Sequence, residues 1–327
     1  MPSVRLNLAL ALFKGGELKE AVKELEPLEA AHPDNLQLTT LLGMAHYGLA
    51  EYAQAATYLK TAAEHETANL PLRLALAHSY LWSKQFDKVM DVYREILALD
   101  PNSAEADMIA GEALNELKDN NGAIAMFRSA VQANSKATDA HFGLAYLLWI
   151  QKQYAEAATE FQAELDNTPG HVQALLYLAD TEIQLNHLNT AQPLLERVVA
   201  MTPSIPLGHL DLGIVYAESG RNDDAIRELT QAEKLMPTGG EVTTDMVTVH
   251  WRLGRLYRTI GRKDEAKAEF EKASQLNKQA DADLHNKLAN AQPRPKDPQE
   301  SGQGQMLQPA PAQAQPTQPS TPATVIP

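Results

Sequence analysis

The pattern of apolar and polar positions repeats along most of the chain as pairs of short amphipathic segments. Apolar residues recur at spacings of three and four, and short polar or glycine-bearing breaks such as Glu218–Asp223 separate the two members of a pair. This spacing predicts helices that each bury one face. One such pair carries the apolar positions Leu74, Leu76, Ala77, Tyr80, Phe86, Val89, Tyr93 and Ile96.

A fixed period of 34 residues relates these pairs. Five prolines are spaced by 68, 68, 34 and 34 residues: Pro33, Pro101, Pro169, Pro203 and Pro237. At 34-residue intervals from 33 to 237 the chain has seven equivalent positions, five of which hold these prolines. A small residue lies twelve residues before each position: Ala21, Ala55, Val89, Ala123, Ala157, Ala191 and Ala225. Four residues further on is a large apolar residue: Leu25, Leu59, Tyr93, Phe127, Phe161, Leu195 and Leu229. Self-similarity at this period is typical of repeat proteins.

A third column explains how the two helices of a unit would pack. The first helix of each unit carries Gly or Ala at one position: Ala9, Gly43, Ala77, Gly111, Ala145, Ala179 and Gly213. A residue this small lets the second helix approach closely, and the large residue of the second helix then fills the space. Because one unit cannot bury its apolar face alone, we expect the units to stack.

The sequence therefore predicts an all-α chain with five segments. Seven contiguous units occupy residues 2–239, an insertion loop 240–246, an eighth unit 247–280 and a polar capping helix 281–291. Residues 292–327 contain nine Pro and eight Gln among 36 residues. Such a composition predicts a disordered tail, because it cannot bury enough apolar surface to order itself.

The repeated unit resembles the tetratricopeptide repeat, whose pattern is W-x2-L-G-x2-Y…A-x3-F-x2-A-x4-P. The matching residues are Leu212-Gly213-x2-Tyr216…Ala225-x3-Leu229-x2-Ala232-x4-Pro237 and Leu253-Gly254-x2-Tyr257…Ala266-x3-Phe270-x2-Ala273. The resemblance implies an α-solenoid of about eight helix-turn-helix units forming a right-handed superhelix. It also implies that the first helix of each unit lines a concave groove that binds proteins.

Three residues depart from the pattern. Glu164 occupies a slot that is small and apolar in the family. Pro27 and Pro193 fall inside second helices, where proline removes a backbone hydrogen bond, so we expect local kinks or frayed turns there.

Composition narrows the function classes. The 28 basic and 42 acidic residues give a formal charge of −14, which disfavours nucleic acid as a partner. The chain has no cysteine, no phosphate-binding glycine motif and no His-Glu-x-x-His motif, so we expect no catalytic residues, metal site or cofactor. No segment is long and apolar enough to span a membrane. The compartment is left open, with a soluble cytoplasmic chain slightly favoured over an exported one.

The resemblance places a set of aromatic, apolar and acidic residues on the groove. These candidate partner-binding residues are Met44, Tyr47, His78, Trp82, Glu112, Tyr146, Trp149, Tyr177 and Asp180. Aromatic residues in a polar surround are common anchors of recognition, although each tryptophan could equally pack between helices. An acidic rim around them favours a protein or peptide partner that is apolar with basic residues.

Four arginines distinguish the last unit: Arg252, Arg255, Arg258 and Arg262. Their clustering on one helix and its turn could form an anion site. The interpretation that we favour pairs them with neighbouring acidic residues, namely Asp264, Glu265 and Glu269.

The function that fits best is a non-enzymatic scaffold for protein–protein interaction. One alternative is a regulatory or substrate-recruiting arm of a larger enzyme system whose catalytic part is on another chain. Another is a self-associating structural protein of the envelope, with self-association through the strongly apolar first repeat.

Overall fold

Sixteen α-helices make up the regular structure of the computed structural model, which describes residues 2–237 and 243–290. The first helices of the eight units are α1 Pro2–Lys14, α3 Leu36–Gly48, α5 Leu70–Trp82, α7 Ala104–Glu116, α9 Ala140–Ile150, α11 Val172–Gln184, α13 Pro206–Glu218 and α15 Thr244–Thr259. The second helices are α2 Leu18–Ala31, α4 Tyr52–His65, α6 Phe86–Leu99, α8 Asn120–Ala133, α10 Tyr154–Asn167, α12 Leu188–Met201, α14 Asn222–Leu235 and α16 Lys263–Asn290. The predicted all-α repeat of eight helix pairs is confirmed.

The small-and-large columns of the sequence form the contact between the two helices of a unit. The seven small residues of the second helices are all fully buried. A Cβ atom added at Gly43 would lie 2.8 Å from Leu59, and one added at Gly213 would lie 2.7 Å from Leu229. The second helix can approach this closely only because these glycines have no side chain.

The turn inside every unit contains one residue with a left-handed backbone. Three of these residues are glycine, namely Gly16, Gly220 and Gly261. At the equivalent position of the other units lie Ala50, Lys84, Lys118, Lys152 and Asn186, with φ between 59° and 66°. Five units therefore hold a side chain in a conformation that favours glycine.

Both prolines lie within uninterrupted helices, so the expectation of frayed turns is wrong. Helices α2 and α12 each contain 14 residues, the same length as the other second helices before α16. Pro27 and Pro193 are exposed, as are Lys23 and Asn189, whose carbonyls lose a helical partner. At these exposed positions water can bond those carbonyls, which lowers the cost of a proline inside the helix.

The end of the array differs from the prediction in two boundaries. Helix α15 begins at Thr244, so the last three residues of the predicted 240–246 loop are helical, while 240–242 lie outside the described residues. Helix α16 runs without a break from Lys263 to Asn290, so the capping helix predicted over 281–291 is not a separate element. The predicted tail, 292–327, lies outside the described residues.

One compact unit extends to Ala280, and residues from Asp281 onward belong to a second. The core of the first unit is made of leucine, alanine, valine and aromatic side chains between successive helices. Among the described residues, no helix combines the length and the hydrophobicity that crossing a bilayer requires.

Candidate functional site

Contacts between successive first helices join residues that are 31 positions apart. Tyr47 Oη lies 3.0 Å from His78 Nδ1, and Trp149 Nε1–H donates to Asp180 Oδ2 at 2.6 Å. The repeat is 34 residues long, so each contact joins a residue near the end of one first helix to a residue of the next first helix. The second residue lies three positions, almost one helical turn, before the equivalent of the first. The first helices thus form a wall in which side chains of neighbouring units meet at these two borders.

The N-terminal aromatic cluster comprises Tyr47, Tyr52, His78 and Trp82. The Trp82 ring centroid lies 4.6 Å from that of Tyr52, 4.8 Å from His78 and 6.1 Å from Tyr47. Despite these contacts, Trp82 is 46% exposed. The cluster therefore presents a supported aromatic surface to solvent, which is the form that recognition anchors take.

Burial sets the protonation of the N-terminal aromatic cluster. Burial lowers the pKa of His78, and Glu105, whose Oε1 lies 3.9 Å from Nε2, partly opposes this. The same burial, with smaller contributions from Tyr52 and Glu105, raises the pKa of Tyr47. At neutral pH the pair is uncharged, and the Tyr47 hydroxyl can donate to His78.

The central aromatic cluster comprises Phe142, Tyr146, Trp149 and Tyr177. The Tyr177 ring lies 5.3 Å from both Tyr146 and Trp149, with interplanar angles of 77° and 72°. Burial raises the pKa of Tyr177, and Tyr146 and Asp180 add to this effect. All four side chains are partly buried against the core, so part of each remains accessible to a ligand.

Acidic side chains accompany the two clusters. Glu112 lies at the surface of α7, yet the protein around it, together with Asp139, raises its pKa. Asp211 is only 7% exposed, and burial followed by Asp180 and Asp245 raises its pKa well above the usual range. Among the described residues no group is hydrogen-bonded to the Asp211 carboxylate. A positive group placed here would relieve the cost of the buried carboxylate.

The four arginines of the last unit do not converge on one point. Arg252 Nη1 lies 2.9 Å from Glu218 Oε1, and Arg262 pairs with Glu265. Arg255 stacks over Trp251 at 4.9 Å, and Arg258 lies 5.7 Å from the Phe270 ring. This arrangement supports pairing and ring stacking rather than a shared anion site.

The structure assembles most of the predicted groove residues. Seven of the nine belong to or contact the two aromatic clusters: Tyr47, His78, Trp82, Tyr146, Trp149, Tyr177 and Asp180. Met44 is half-buried against the core, and Glu112 stands apart on α7. Sequence reasoning missed Tyr52, which reaches the cluster from a second helix and which the resemblance did not assign to the groove.

Sequence models of known families match nearly the whole array. One model described as a tetratricopeptide repeat matches residues 6–71, 118–172 and 176–238, and two others of the same description match 48–112 and 247–279. No curated protein sequence matches the chain.

Solved structures share the fold at low sequence identity. A tetratricopeptide repeat protein from Parabacteroides merdae has a TM-score of 0.53 at 17% identity, covering 84% of this chain and 98% of its own. YrrB, described as having an unusual peptide-binding site, has a TM-score of 0.50 at 18% identity, covering 60% and 97%. PilF from Pseudomonas aeruginosa has a TM-score of 0.50 at 16% identity, covering 63% and 89%. Identities this low establish the fold alone.

Proposed function

The chain belongs to the tetratricopeptide repeat family, and from this premise we propose that it is a non-enzymatic scaffold. It binds a segment of a partner protein along its first helices. The observation that carries the proposal is Trp82, which is 46% exposed while three neighbouring rings hold it in place. A large exposed ring that its neighbours hold rigid loses little conformational freedom when a ligand covers it.

The charges around the clusters indicate the chemistry of the partner. Glu105, Glu112, Asp180 and Asp211 lie on the first helices, and burial makes the ionised form of Asp211 costly. A lysine or arginine of the partner would stabilise those carboxylates. The segment is therefore apolar with basic residues: its apolar side chains cover the rings and its basic ones meet the acids.

A display selection tests both the surface and the partner chemistry. The full chain is the bait for a random twelve-residue peptide library, and Trp82→Ala is compared with Leu99→Ala. Leu99 is 40% exposed on a second helix and serves as the matched control. We expect selected peptides to combine aromatic or aliphatic residues with Lys or Arg, and to lose binding with Trp82→Ala only.

Charge reversal then separates steering from anchoring. Glu112→Lys should lower affinity and flatten its dependence on salt. Asp180→Lys should do the same and also remove the hydrogen bond that Trp149 donates, so Glu112→Lys alone reports steering. The proposal is refuted if cross-links from a bound peptide map to the second helices, or if neither reversal changes affinity or its salt dependence. Thermal melting of each variant confirms that the fold is intact.

Self-association is a second candidate that one observation favours. Val4 and Leu8 on α1 are 63% and 48% exposed, and with Pro27 and Leu28 they line a shallow cleft. A second copy of the chain could cover this apolar surface. Sedimentation should then detect a dimer at tens of micromolar that Leu8→Glu abolishes; a monomer at that concentration removes the candidate.

A further inference from the structure

Glu164 is a buried carboxylate in a slot that every other unit fills with an apolar side chain. The equivalent residues are Leu28, Ala62, Ile96, Ala130, Val198, Ala232 and Ala273. Glu164 is 1% exposed; its Oε2 accepts the N–H of Phe142 at 3.3 Å, and its Oε1 has no hydrogen-bond partner. A buried carboxylate oxygen without a partner is costly, so something should offset that cost.

Asp139 is held in an unusual conformation close to the Glu164 carboxylate. It precedes α9 with a φ of 63° and makes no capping hydrogen bond. The residues that precede α3, α5, α7, α11, α13 and α15 are all extended instead. Because Glu164 already accepts an N–H from the first turn of α9, Asp139 is free to face His171, whose Nε2 lies 3.0 Å from Asp139 Oδ1.

These three side chains converge from three different elements. One ligating atom each from Asp139, Glu164 and His171 lies within 4.8 Å of the other two. Two carboxylate oxygens and one imidazole nitrogen suit a divalent transition metal, with ligands at about 2.0–2.2 Å. Asp139 is exposed and can close the remaining gap by rotating its side chain.

We propose that Asp139, Glu164 and His171 form a site for one zinc-type divalent cation. The charge balances, since two carboxylates meet a doubly positive ion. His171 Nδ1 now accepts the N–H of Ala174 at 3.1 Å, so the ring proton is on Nε2. On binding, that proton moves to Nδ1 through solvent and Nε2 coordinates the metal, so one helix cap is exchanged for a metal–nitrogen bond.

The chain contains a second cluster of the same composition that serves as a control. Glu233, His250 and Glu269 also bring ligating atoms within 4.8 Å. Here, however, Lys272 Nζ lies 3.2 Å from Glu233 and 2.9 Å from Glu269. The ammonium group already occupies the place of a cation. Among the described residues, no lysine or arginine pairs with Asp139 or Glu164.

The test titrates Zn²⁺ alone into the full chain, prepared without a histidine tag and freed of metal by a chelator. A competing chromophoric chelator reports affinity and stoichiometry, and thermal melting reports the linked gain in stability. We expect one saturable site and a higher Tm with zinc. Glu164→Gln should weaken binding by more than the roughly tenfold to hundredfold that outer-shell partners contribute.

Two further variants keep the result interpretable. His171→Asn should weaken zinc binding as much as Glu164→Gln does. It should preserve the helix cap, since asparagine is a preferred capping residue. If Glu164→Gln fails to fold, His171→Asn alone tests whether this site binds zinc. Glu233→Gln should leave affinity unchanged. The proposal is overturned by the absence of saturable binding, by unchanged affinity in Glu164→Gln and His171→Asn, or by an equal loss in Glu233→Gln.

Discussion

Replacing Gly213 with alanine should destabilise the seventh unit, although alanine is the better helix former. The added Cβ would lie 2.7 Å from Leu229 Cγ, 3.0 Å from its Cδ2 and 3.2 Å from its backbone nitrogen. Carbon atoms in contact normally lie about 3.5–4.0 Å apart, so α13 and α14 must separate by up to about 1 Å. A change of rotamer cannot relieve the contact with the backbone.

The magnitude follows from two opposed terms. Overpacking of this kind costs about 1–3 kcal/mol. Replacing a helical glycine returns about 0.5–1 kcal/mol. We therefore expect a net loss of about 1 kcal/mol. Because repeat arrays open in parts, guanidinium denaturation should be combined with hydrogen exchange of the α13 and α14 amides.

Two comparisons isolate the close contact as the cause. Gly170→Ala is the matched control, since its added Cβ meets only Met201 Cε at 3.9 Å, and its stability should change by less than about 0.5 kcal/mol. In a Leu229→Ala background the contacts with the leucine side chain are gone and only the 3.2 Å approach to the backbone nitrogen remains, so Gly213→Ala should cost much less. The reasoning fails if Gly213→Ala is harmless in the native chain, or if it costs the same in both backgrounds.

Three further substitutions test other parts of the array. Asp211→Asn should raise stability at pH 7, measured by urea denaturation; because the folded-state pKa lies above the usual value of about 3.9, the gain should shrink as the pH falls toward 4. Tyr93→Phe removes the hydroxyl that donates to buried Asp107 at 2.7 Å and should cost about 1–3 kcal/mol in the same assay. Ala50→Gly relieves a φ of 59° and should raise stability by about 0.5–1 kcal/mol; an unchanged denaturation midpoint would contradict this.

The helix pairs could be predicted from the sequence because close packing constrains the same few positions in every unit. Gly43 and Gly213 belong to the repeated small position of the first helices because each packs directly against a leucine, Leu59 and Leu229 respectively. The left-handed turn residues could not be predicted, since Lys84 and similar residues stand where glycine would have signalled that conformation. There the packing of the two helices determines the backbone and overrides local preference.

The candidate surfaces divide in the same way. The residues on the first helices could be predicted from the geometry of the family, which places Tyr146 and Tyr177 on one wall. The convergence of Asp139, Glu164 and His171 could not be predicted, because it depends on how two turns and one second helix meet. The sequence showed Glu164 only as a departure from an apolar slot, which signals an irregularity without naming its partners.

The 31-residue offset has a further consequence for how the wall responds to a ligand. The contacts Tyr47–His78 and Trp149–Asp180 each join residues of two neighbouring units. These parts of the wall are therefore held together by contacts between units and not by contacts within one unit. When one unit opens, only the contacts at its own borders are lost. A segment lying across several borders opposes opening at each of them. Slowed amide exchange would therefore mark the span of the array that a partner covers, unit by unit.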